Sequence, residues 1–150
     1  MVRKILIIAV VLFVIIQFIP TGRPDNNPVP GKDILEIEDV PDEVAVLLKT
    51  ACYDCHSQQV TYPWYSYVAP VSFLVARDVR EGREHLDFGH WGDLSKRKRI
   101  KALDEISETV EEGEMPMKIY PIMHPGAKLT DAQRQKIMEW CESCADKLFE

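Results

Sequence analysis

Apolar residues recur at helical spacing in four stretches of this chain, and no stretch alternates with period two. The first stretch opens at Asp42, with Val44, Leu47, Leu48, Ala51, Cys52 and Cys55 three and four apart. It predicts one helix with both cysteines on its buried side. The second follows Pro70 and turns Val71, Leu74, Val75 and Val79 inward, with Arg77, Arg80, Glu81, Arg83 and Glu84 on the other sides. The third runs over about 95–112, with Ile100, Leu103, Ile106 and Val110 inward. Its basic start, Lys96 to Arg99, and acidic end, Glu108 to Glu112, oppose the helix dipole. Pairs such as Lys101 with Glu105 are expected to offset this. The fourth opens with a capping box, Thr130-Asp131-Ala132-Gln133, and buries Ile137, Met138, Cys141, Cys144, Ala145 and Leu148. The predicted class is all-α: a small domain of about four helices with long loops.

A different pattern precedes it. Ile5 to Ile19 is apolar except for Gln17, has no polar face, and ends at Pro20. At ~1.5 Å per residue it spans about 22 Å, short of a hydrocarbon core of about 30 Å. That length suits a signal-peptide core or a short anchor. The exit lacks a small-x-small cleavage site, so residues 1–20 are read as an uncleaved membrane anchor, an N-terminal transmembrane helix held through residues 5–19. Arg3 and Lys4 keep the N-terminus cytoplasmic. The expected placement is single-pass in the inner membrane, with the C-terminal domain facing the periplasm. Residues 21–34 form a Pro-rich linker, a stiff extended tether. Residues 35–150 form the domain, and Asp33 to Asp42 is acidic and expected to be irregular.

The net charge of -6 sharpens this division. Both charges in the first 20 residues are basic, so the rest of the chain carries the whole acidic excess. A nucleic-acid partner, which needs a basic surface, is not expected. At 150 residues the chain suffices for one domain with a core. Two loops are unusually long. Gln58 to Ala69 carries Tyr62, Trp64, Tyr65 and Tyr67, and Glu114 to Leu129 carries Met115, Met117, Met123 and His124. Such loops enclosing a flat cofactor would fill the middle of a small helical domain.

Candidate chemistry centres on Cys52-Tyr53-Asp54-Cys55-His56. Two thiols three residues apart can reach two vinyl groups on one porphyrin edge, and the following histidine can ligate iron. This is the c-type haem attachment pattern. It predicts one haem c, held by Cys52 and Cys55, with His56 as proximal ligand. Zinc would need Cys141 and Cys144 as well, at a separation far beyond the usual ~15–20 residues. A thioredoxin-like pair would need an α/β context. A disulfide between Cys52 and Cys55 would leave His56 unexplained. Ala145 stands where a second haem would need histidine, so Cys141 and Cys144 are read as core packing or a disulfide. Methionine opposite His56 suits electron transfer. Met115, ahead of Pro116, is the first choice and Met117 the next, with Met123 and His124 behind them. His85 and His90 are read as surface or hydrogen-bonding residues. Trp64 and Tyr65 are expected to pack on the haem.

The chain resembles a family of bacterial haem-binding domains built around one CxxCH, often behind an N-terminal membrane segment. The resemblance rests on CYDCHSQQVTYPWYSYVAPVSFLVARDVREGREHLDFGHW, GEMP, HPGAKLT and the last helix with Trp140, and covers roughly residues 35–145. It implies haem attachment at Cys52 and Cys55 and proximal ligation by His56. The chain is also similar to small c-type cytochromes, where a Met-Pro ahead of the last helix carries the distal ligand, as Met115-Pro116 would. The expected function is one-electron exchange with a redox partner protein, without substrate chemistry. Its rivals are a haem sensor or peroxidase-like enzyme with an open sixth site, and a zinc- or disulfide-stabilised binding module.

Overall fold

The first helix, α1 (Val2–Ile16), buries none of its side chains. The computed structural model describes residues 1–149, and in that range no helix is long and apolar enough to cross a membrane. The predicted transmembrane helix is therefore not supported: the segment forms a 15-residue helix that includes Arg3 and Lys4 and stops at Ile16, too short to span. Gln17 helps to end it by turning its side chain to the backbone of Ala69, donating to the carbonyl at 3.2 Å and accepting from the N–H at 2.9 Å.

Residues after α1 run extended, as their prolines favour, and lie along the domain. The Asn26 side chain donates to Val60 O at 2.8 Å and accepts from Val60 N at 3.0 Å. Tyr62 donates to Pro24 O, and Arg83 donates to Asp25 O. The Arg23 guanidinium sits over the rings of Tyr62 and Tyr67, at 4.6 and 3.9 Å. The segment forms a strap against the domain.

The acidic stretch expected to be irregular holds a short helix, α2 (Ile34–Ile37), started by Asp33, whose carboxylate accepts from Leu35 N. Ile34 is fully buried and anchors it. Helices α3 (Asp42–Ala51), α4 (Tyr53–His56), α5 (Val71–His85), α6 (Lys96–Glu111), α7 (Tyr120–Met123) and α8 (Asp131–Phe149) follow, with short 3-10 turns between some of them. No strand occurs among the described residues. Glu150, the last residue of the predicted domain, lies outside them. The class is all-α, with four longer helices in the domain.

Periodicity explains the core. Leu103, Ile106 and Val110 of α6 pack along Ile137, Cys141, Cys144 and Ala145 of α8, while Val44, Leu47, Leu48 and Ala51 close the layer from α3. Phe88 and Trp91 fill the centre. Each of the valine, leucine, isoleucine and phenylalanine side chains contributes about 1.5–3 kcal/mol on burial. The capping box forms as expected, with Thr130 N donating to Gln133 Oε1 at 2.8 Å and Gln133 N to Thr130 Oγ1 at 3.3 Å.

Three further sequence expectations are corrected. In α5 the buried residues are Ser72, Ala76 and Val79, whereas Val71 and Leu74 are exposed, because that stripe faces a cavity rather than the core. Glu105 approaches His85 Nε2 at 2.7 Å instead of pairing with Lys101. The basic start of α6 is drawn inward through Arg99, which meets Glu38 Oε1 at 3.3 Å beside the Trp91 indole N–H at 2.7 Å. The third correction concerns the cysteine helix itself.

Candidate cofactor site

The helix carrying the two cysteines breaks between them. Cys52 N–H still donates to Leu48 O, but its backbone leaves helical geometry at φ -123 and ψ -35. A new turn starts there, with Cys55 N and His56 N both donating to Cys52 O. The break rotates Tyr53 into the core, where its hydroxyl donates to buried Asp33 at 2.5 Å and its ring lies 5.5 Å from Phe88. Cys55 is thereby turned outward into a cavity, and both cysteines are half-buried rather than on one buried face. Cys52 packs against the hydrophobic core. Burial pushes the Cys52 thiol up to about 12 and the Cys55 thiol up to about 11, so both are protonated at neutral pH.

His56 is held by its neighbours. Its Nδ1 lies 3.0 Å from Leu86 O, just beyond α5, and its ring lies 5.9 Å from Phe88. Burial pushes its pKa down, against the carbonyls of Leu86 and Gly82. The imidazole is therefore neutral, with Nδ1 as donor and Nε2 available to a ligand. Helix α5 can lie this close because residue 82 is glycine. A Cβ there would stand 2.8 Å from Cys55 O and 3.2 Å from Cys55 Cβ.

A cavity of about 450 Å³ opens beside this turn, with Cys55, His56, Met115, Pro116 and Met117 in its wall. A second, strongly apolar cavity of about 420 Å³ adjoins it and holds Trp64, Tyr65, Val71, Leu74, Met123 and His124. The two share Cys55, Asp78, Met117 and Tyr120, so they form one trough. Both sizes suit an organic cofactor. Met115 is fixed through its backbone, its N–H donating to Thr109 O at 3.1 Å and its carbonyl accepting from Arg134 at 3.0 Å. The structure thus brings Cys55, His56, Met115 and Met117 to one cavity, and Trp64 and Tyr65 to its neighbour. Met123 and His124 face the neighbour and not the wall of His56. His85 stays exposed at the rim, and His90 is 2.8 Å from Asp87.

Sequence reasoning missed the polar side of this trough. Tyr120 stacks on His124 at 4.2 Å and donates to Asp54 at 2.8 Å, and the Tyr65 hydroxyl lies 2.5 Å from His124 Nε2. Asp54, inside the cysteine motif, thereby ties that turn to the methionine loop. Its position between the cysteines was the only available signal. Arg83, read as a helix-face cation, donates to Ser57 O at 2.9 Å and clamps the exit of the motif. Cys141 and Cys144 are buried free thiols, and Cys144 lies 3.5 Å from Glu38 Oε2. Among the described residues no cluster of three or more His, Cys, Asp or Glu could hold a metal ion.

An apolar trough with a neutral, carbonyl-anchored imidazole and a thiol in its wall fits a haem. The chain matches the haem-binding domain family over residues 11–143 and belongs to that family. Comparison with curated proteins and with solved structures gave no match.

Proposed function

We propose that this haem-binding protein is a monohaem c-type cytochrome, anchored to the inner membrane and exchanging single electrons with a partner protein in the periplasm. The observation that carries the reading is His56: Nδ1 is committed to Leu86 O, in a wall that also holds Cys55, Met115 and Met117. Haem bound here supplies an Fe(III)/Fe(II) couple. Cys55, together with Cys52 from its place against the core, would hold it covalently, and His56 Nε2 and the sulfur of Met115, or Met117, would ligate its iron. Trp64 and Tyr65 would exclude water from its edge, and Tyr65, His124, Tyr120 and Asp54 would fix the loop that carries the sulfur. Methionine ligation in a cavity of mainly apolar lining would favour electron transfer over substrate chemistry.

The anchor reading draws on α1, none of whose apolar side chains is buried by the protein. A short helix fits a bilayer by local thinning and by the reach of Arg3 and Lys4 to the cytoplasmic headgroups. A second reading, a sensor or peroxidase-like enzyme with an open sixth site, draws on the Tyr65–His124 pair beside the cavity.

The test is a pyridine haemochrome spectrum and haem staining of the denatured chain. A c-type spectrum with haem retained is expected, and loss of retention in the Cys52→Ala, Cys55→Ala double variant. Haem that extracts freely from the native sequence removes the covalent reading. Rapid carbon monoxide binding by the reduced native protein selects the open-site reading.

A further inference from the structure

The large apolar side chains left exposed on the domain are not scattered. Apart from Val46, α1 with its exit and Phe149, all lie in segments 64–74 and 119–123. Several of these, including Trp64, Val71 and Leu74, line the apolar cavity, and a bound cofactor would cover part of them. Tyr67, Val68 and Ile122 do not line it, and they stand outside whether or not it is filled. Trp64 is 73% exposed, Ile122 72% and Tyr67 62%. Water is a poor neighbour for this cluster, and patches of this kind mark an interaction surface.

The end of α1 says what that neighbour is. Gln17, the one polar residue of the apolar run, hydrogen-bonds both backbone groups of Ala69, in the middle of segment 64–74. Ile16, Gln17 and Ile19 share a groove with Tyr67 and Ala69. A helix that buries none of its apolar side chains thus ends on the same face that carries the exposed aromatics. Trp and Tyr with an adjacent arginine are the side chains that settle at a membrane–water boundary. Here Arg23 stacks on Tyr67 and donates to Ser66 O, within the same segment.

We propose that this face lies on the bilayer, with Trp64, Tyr67, Val68 and Ile122 in the headgroup and upper acyl region and the mouth of the haem cavity turned toward the membrane. The inference rests on the anchor reading of α1 and adds an orientation to it. The cavity mouth then exchanges electrons at the membrane surface, not on the far side of the domain.

The full haem-loaded chain in phosphatidylethanolamine–phosphatidylglycerol vesicles tests it. Trp91 and Trp140 are buried, so Trp64 is the one exposed indole among the described residues. Lipids brominated near the headgroup should quench Trp64 emission relative to unbrominated lipids, a comparison in which quenching by haem cancels. Trp64→Phe should abolish that difference while the chain still floats with the vesicles. Replacing Ile122 by Asp should weaken the quenching without releasing the chain. A chain that floats with Trp64 unquenched overturns the orientation and leaves the anchor standing. A chain that does not float overturns both.

Discussion

At residue 82 a single hydrogen atom separates α5 from the cysteine motif. The obstacles to a Cβ there are backbone atoms of Cys55, which cannot swing aside as a side-chain tip would. Gly82→Ala must push α5 away or distort the turn that holds His56. Overpacking of this kind costs about 1–3 kcal/mol, and we expect a matching loss in denaturant unfolding together with a changed haem spectrum. The glycine's own flexibility would otherwise make alanine the better helix former, so unchanged or raised stability would show that the contact is not tight. Across the cavity the question is which sulfur ligates. Met115 has its backbone gripped on both sides, by Thr109 and Arg134, whereas Met117 borders both halves of the trough. A ligand on a fixed backbone loses less freedom on binding iron. Met115→Ala should therefore abolish the sulfur–iron charge-transfer band of the oxidised protein, and Met117→Ala should leave it. The reverse pattern would reassign the ligand.

Among the elements, the strap is the one that composition described least well. Proline and glycine announced an extended segment but not the bonds that lay it on the domain, among them those of Asn26, whose side chain completes both backbone groups of Val60. Replacing Asn26 by Ala leaves those groups to water and is expected to cost about 1–3 kcal/mol, read as a lower unfolding midpoint and faster amide exchange at Val60. Helix identities were legible because α6 and α8 face one core and carry one stripe each. The stripe of α5 was equally legible, but its target was not: Val71 and Leu74 are apolar for the sake of a cavity, which periodicity cannot distinguish from a core. The break at Cys52 was hidden for another reason. Nothing in the local sequence disfavours continuing the helix; the buried Tyr53–Asp33 hydrogen bond, across 20 residues, fixes the turn in its rotated place. Sequence reading found the motif and the methionine loop, while the contacts between them, Asp54 with Tyr120 and Tyr65 with His124, depend on how the loops fold back.

For the molecule as a whole, the division that matters lies between α1 and everything after it. Helix α1 buries no side chain, and its polar link to the domain is the Gln17–Ala69 pair, which is partly exposed to water. The core, the capping box and the cofactor trough all draw on residues after the strap begins. Deleting residues 1–19 should therefore change domain stability by no more than about 1 kcal/mol, the net worth of exposed hydrogen bonds. The truncated chain should take up haem with the same spectrum. It should also stay in the supernatant when membranes are sedimented, while the full chain pellets with them. The segments around Trp64 and Ile122 remain in the truncated chain, so it should keep a weak affinity for vesicles that high salt does not remove, as burial of apolar surface is insensitive to screening. Loss of haem uptake on truncation would mean that α1 shapes the trough after all. Complete loss of vesicle affinity would leave α1 as the sole contact with lipid.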